Sequence, residues 1–115
     1  MEAAECYYNR GFDMLRAANV IRDEEWDPNH RISLEFRCIE LGGEVGEALN
    51  KVKKLLRERN GNVGTKTTKE EIAQELADIV ICADLVAMTL QIDLGDAVRE
   101  KFNATSVKYS LETRL

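Results

Sequence analysis

Glutamates recur between Leu34 and Asn60 at a spacing that only a helix gathers on one side. Glu40, Glu44 and Glu47, continued by Lys51 and Lys54, stand at offsets of 0, 4, 7, 11 and 14 residues. At about 100° per residue these offsets keep all five side chains within one sector of a helix. Like charges four apart on an exposed helix cost a few tenths of a kcal/mol each, so the stripe needs something cationic against it. A second set, Glu71, Glu75 and Asp78, shares a face in EEIAQELADIV. Two antiparallel helices, each offering an acidic pair three residues apart, would bring Glu44, Glu47, Glu75 and Asp78 together around divalent cations.

The rest of the chain follows the same helical period, and the expectation is an all-α fold. Tyr7, Tyr8, Phe12, Leu15 and Ala18 predict a first helix over about 3–18. The segment ANVIRDEEWDPNHR reads as an irregular connection or a helix end, because Pro28 disfavours helical geometry at Asp27. A second helix over about 33–59 has an apolar stripe of Leu34, Cys38, Leu41, Val45, Leu49, Val52 and Leu56 beside the acidic one, placing the acids at the edge of the core. Asn60-Gly61 stops it. The polar loop NGNVGTKT is a plain connector or a lid. Thr68 and Glu71 make a T-x-x-E capping box that starts a third helix, about 68–91, with a core stripe of Ile72, Leu76, Ile79, Ala83, Val86 and Leu90. Asp93 caps a fourth, about 94–105, with Leu94, Val98 and Phe102 inward. Four helices in a single domain make a four-helix bundle. The half of helix three from Ile79 to Met88 is apolar nearly all round, so oligomerisation is expected to complete the bundle.

Composition narrows the functions open to such a chain. With a formal charge of -5, it has the wrong sign to neutralise nucleic-acid phosphates, and no nucleic-acid polymer is expected as partner. A small anion remains open if metal ions mediate. Cys6, Cys38 and Cys82 with one histidine form no zinc pattern and read as reduced, mostly buried thiols. His30 reads as an exposed loop residue. The start MEAAECYYNR is no signal peptide, and IVICADLVAM is too short to span a bilayer and contains Asp84. A cytoplasmic protein without membrane contact is expected. Asp84, turned away from Asp78, needs a partner, either structural or a substrate group.

Ligands that are all oxygen favour hard cations, so Glu44, Glu47, Glu75 and Asp78 point to Mg²⁺, with Mn²⁺ as substitute. A di-iron centre would want two E-x-x-H pairs, which the sequence lacks. Magnesium held by carboxylates usually completes its shell with water and phosphate oxygens. Lys51, Lys54, Lys101 and Lys108 would neutralise a phosphate chain, the plainer alternative for each being a surface salt bridge. A water deprotonated by a spare carboxylate such as Glu40 and attacking phosphorus is the reaction that fits. Trp26 is either an apolar lid over the bundle or a platform for a planar base, and Asn19 either a helix-end cap or a reader of a base edge.

The motifs E-V-G-E at 44–47 and E-L-A-D at 75–78, continued by I-D-L-G-D-A-V-R-E-K-F-N at 92–103 and K-Y at 108–109, resemble the MazG-like all-alpha nucleoside triphosphate pyrophosphohydrolases over about Leu34 to Tyr109. The resemblance implies hydrolysis of a nucleoside triphosphate between the α and β phosphates. By motif position it makes Glu44, Glu47, Glu75 and Asp78 the Mg²⁺ ligands and turns Lys101 and Tyr109 toward the phosphates. It also implies dimers or tetramers. The chain departs from the pattern at Gly43, where many members have the first of two adjacent glutamates, and Glu40 is the candidate substitute. A second departure concerns the family asparagine, whose place is taken here by Asn103 or Thr105. The competing reading is a noncatalytic helical interaction module whose acidic stripes are solvated faces. A di-metal nuclease is disfavoured by the acidic balance.

Overall fold

The computed structural model describes residues 2–61 and 66–115, with side chains from Arg10 onward. It contains four helices: α1 Glu2–Trp26, α2 Leu34–Arg59, α3 Lys69–Thr89 and α4 Leu94–Lys108. No strand occurs among the described residues, in agreement with the all-α expectation. No helix among them is long and apolar enough to cross a membrane.

Short polar side chains start the helices where the sequence places them. Ser33 Oγ accepts from the Phe36 amide at 3.1 Å, Thr68 Oγ1 from the Glu71 amide at 3.1 Å, and Asp93 Oδ1 from the Asp96 amide at 3.0 Å. Each such cap is worth about 1 kcal/mol. The Glu71 carboxylate accepts from the Thr67 hydroxyl at 3.1 Å.

The helix ends differ more from expectation. Helix α1 runs on through Asn19 to Trp26, with the Asp27 amide still donating to the Asp23 carbonyl at 2.8 Å. Of the two readings of this segment the helix end holds: nothing before Pro28 breaks the helix, and Pro28 stops it. Helix α4 continues past Thr105 to Lys108. Three helices close with a left-handed residue, Gly61 at φ 80°, Gln91 at φ 57° and Ser110 at φ 55°. At the last two the amide pairs are complete. Gln91 N donates to Met88 O and Ile92 N to Ala87 O, and Ser110 N to Val107 O and Leu111 N to Ser106 O. These paired bonds satisfy carbonyls that the helix leaves over, offsetting about 1–2 kcal/mol for a side chain in that region.

The chain divides into two compact units, residues 1–29 with 87–115, and residues 30–86. In the first, α1 packs on α4, and Arg16 Nη2 donates to the Ile92 carbonyl at 2.7 Å. The Asn103 carboxamide brackets Leu115, its Oδ1 accepting from the backbone amide at 2.7 Å and its Nδ2 donating to the carbonyl at 3.3 Å. Asn103 is thus engaged with backbone here. Leu94 and Val98 are half-buried, while Phe102 is exposed.

In the second unit, Lys51 on α2 reaches Glu75 on α3, while Glu44, seven residues earlier, approaches Asp78, three residues later. Positions that ascend on one helix meet positions that descend on the other, so the pair is antiparallel. The face of α2 turned inward is not the expected one. Arg37 and Ala48 are buried, and Leu41, Glu44, Lys51, Lys54 and Leu55 half-buried. The predicted apolar stripe is largely outside: Cys38, Val45, Leu49, Val52 and Leu56 are exposed, Leu49 at 65%. At about 100° per residue the two stripes lie roughly a quarter turn apart. The inward face is the one whose Lys51 brings positive charge to the acids, and an apolar row beside it needs another surface. On α3, Ile72, Ile79, Ala83 and Val86 are half-buried, but Leu76 is exposed, as is Leu90 just past the helix end.

Cys38 is exposed and Cys82 half-buried, which corrects the expectation of mostly buried thiols; Cys6 lies outside the described side chains. His30 is exposed, as expected. Half of the loop read as connector or lid, residues 62–65, also lies outside the described residues, as do the side chains of Tyr7 and Tyr8.

Candidate metal centre

Helical spacing brings the two acidic pairs onto facing sides of α2 and α3, and the result is a concentrated group of oxygens. Glu44, Glu75 and Asp78 each place a carboxylate oxygen within 4.8 Å of the others. Glu75 is the most enclosed, at 8% exposure, Glu44 is half-buried and Asp78 exposed. Glu75 Oε1 accepts from Lys51 Nζ at 2.6 Å. Glu75 Oε2 and Glu44 Oε2 are both buried with no hydrogen-bond donor. A buried carboxylate oxygen without a donor costs free energy, and a cation held by the group would offset that cost.

Electrostatics points the same way. Burial, then the charges of Glu47, Asp78 and Glu75, raise the Glu44 carboxyl above its ordinary value of 4.5. The Lys51 hydrogen bond lowers Glu75 against the opposing effect of burial, and the same bond raises the Lys51 ammonium. One lysine therefore satisfies one acid and leaves Glu44 destabilised as an anion. A hard divalent cation suits an all-oxygen set of this kind. The residues present fit Mg²⁺, with Glu44, Glu75 and Asp78 as holders.

The sign of the Glu44 shift gives a testable consequence. A raised folded-state value means that ionised Glu44 opposes folding at neutral pH, and that the opposition disappears as pH falls below the ordinary 4.5. Glu44→Gln is expected to raise Tm in the presence of chelator at pH 7, with the gain fading toward acid pH. It should also abolish stabilisation by Mg²⁺. Scanning calorimetry reads both, and a lower Tm in chelator would show that donors hold the carboxylate.

Other predicted residues are placed differently. Glu47 is exposed and lies outside the tight trio, though its charge acts on Glu44. Glu40 is exposed one turn before Glu44, and Lys54 is half-buried further along α2. Lys51, expected at phosphates or in a surface salt bridge, forms a salt bridge, a partly buried one to Glu75 within the acid group. Lys101, Lys108, Tyr109, Asn19 and Trp26 belong to the other unit. There Lys101 is exposed, and Lys108 Nζ stands 5.3 Å from the centre of the Tyr109 ring. Asn19 is buried at 2% exposure inside α1, so it is no helix-end cap. Trp26 ends α1 at 76% exposure, which rules out the lid reading, since the ring covers little. Asp84 is buried and engaged in a polar or electrostatic interaction. Arg37, buried seven residues before Glu44, escaped the sequence reading. Its place on the same helical face was the available signal.

No family model and no solved structure matches this chain. Over 70 residues it is 31% identical to the Gene 37 protein of Mycobacterium phage L5, a match covering 61% of this chain and 60% of that protein. The chain is thus similar to part of a phage protein whose name states no activity.

Proposed function

We propose that the chain is a Mg²⁺-dependent hydrolase of the MazG-like kind, converting ribo- or deoxynucleoside triphosphates to monophosphate and pyrophosphate, with a role in clearing the nucleotide pool. The observation that carries this reading is the Glu44, Glu75 and Asp78 group with its two buried, donorless oxygens. The likeness of E-V-G-E and E-L-A-D to the family's acidic pairs supports it. Bound Mg²⁺, or Mn²⁺ in its place, would supply positive charge to the phosphate oxygens. The chain's own residues do the rest. Glu40 accepts a proton from the attacking water, whose oxygen bonds to the α phosphorus. The bond from that phosphorus to the bridging oxygen breaks, and the electrons leave with pyrophosphate. Lys54, half-buried on the same helix as Glu44, would meet the phosphate chain.

The exposed apolar residues of the second unit, among them Ile39 at 71%, Leu49, Leu56 and Leu76, support self-association as a cytoplasmic dimer or tetramer that completes the helical bundle. The same row also favours the second reading, a noncatalytic helical interaction module. A panel of nucleoside triphosphates incubated with Mg²⁺, each repeated with chelator, separates the two. Turnover lost with chelator is expected, and absence of turnover on every nucleotide would leave the module.

A further inference from the structure

The place of Lys51 differs in kind from that of a phosphate ligand. Its side chain is 27% exposed, and its ammonium lies 2.6 Å from Glu75 Oε1. It follows Glu44 by seven residues and Glu47 by four, so the three stand on one side of α2, with Glu44 and Lys51 half-buried and Glu47 exposed. The carboxylates of Glu71 and Glu47 act on it as well. An ammonium on a flexible four-carbon stem can leave such a position by rotating its own side chain, with no movement of the helix. A divalent ion at the Glu75 oxygens would repel it strongly at this distance.

Resting on the metal reading above, we propose that Lys51 is an internal counter-cation. It neutralises the acid group while the divalent ion is absent and gives up Glu75 when the ion arrives. Two effects follow from one interaction. Lys51 stabilises the metal-free fold, and for that reason it weakens the ion's affinity by the same coupling. Once displaced, the ammonium is on the rim of the site, where the phosphate oxygens that accompany the ion would receive it. The chain thereby favours an ion bound together with a polyphosphate over an ion alone.

The test is calorimetric titration of the protein with MgCl₂ alone, with thermal denaturation in chelator, on wild type, Lys51→Met, Lys51→Arg and Asp78→Asn. Lys51→Met is expected to melt earlier in chelator and to bind Mg²⁺ roughly tenfold more tightly, within the usual range for coupled sites. Lys51→Arg should resemble wild type, and Asp78→Asn should lose the binding. If Lys51→Met does not fold in chelator, Lys51→Gln replaces it in the same comparison. Binding by Lys51→Met that is unchanged or weaker, while Asp78→Asn still abolishes it, would overturn the counter-cation role and leave the metal site standing. Wild type and Lys51→Met both failing to take up Mg²⁺ would overturn the metal site and this proposal together.

Discussion

Asp78→Asn is expected to reduce nucleotide turnover by about a thousandfold, because a lost charged ligand removes several kcal/mol of transition-state stabilisation. Helicity should not change. Asp78 is exposed, so the amide meets no buried partner, and the substitution preserves shape. The choice of Asp78 over Glu75 matters for interpretation. Removing the Glu75 charge would also strand Lys51, whose ammonium it holds at 2.6 Å, and would mix a folding defect with a chemical one. Initial rates at saturating Mg²⁺, with far-ultraviolet circular dichroism on the same samples, give the answer. A variant that turns over at the parent rate would remove Asp78 from the ligand set.

Leu49→Glu is expected to convert an assembled protein into monomers of 13.0 kDa. Leu49 lies in the exposed apolar row of α2 with Val45, Val52 and Leu56. In the assembly proposed above that row is covered by a second copy. Central apolar anchors in interfaces commonly cost about 2 kcal/mol or more when truncated, and a carboxylate placed there adds its own desolvation cost. Glutamate is also a good helix former, so α2 itself should survive. Light scattering behind size exclusion measures the mass directly. A wild type that already runs as a monomer, or a variant of unchanged mass, would contradict the assembly.

How much of this was readable beforehand depended on whether the signal was local. Thr68 and Asp93 announce helix starts because a short side-chain oxygen satisfies an amide three residues on, and each does so here, as does Ser33 at the boundary expected for the second helix. The end at Gly61 was legible through its glycine. The ends at Gln91 and Ser110 were not, because there the left-handed turn is held by backbone bonds rather than by residue type. Glu44, Glu75 and Asp78 could be paired from spacing alone, since period and an antiparallel arrangement suffice to juxtapose them. The inward face of α2 could not. Hydrophobicity favoured the row through Val45 and Leu49, and only the partner helix decides that Arg37, Glu44 and Lys51 turn toward the interior instead. Lys51 belongs to the same lesson: its sequence position fits a phosphate contact or an acid contact equally, and the second helix determines which one forms.

The most direct test of the central claim is hydrolysis in ¹⁸O-water with Mg²⁺, with products separated and examined by ³¹P resonance. Attack at the α phosphorus predicts a monophosphate that contains the label and pyrophosphate that does not, with neither formed in chelator. Label in pyrophosphate, release of inorganic phosphate with a diphosphate, or turnover indifferent to chelator would contradict the account.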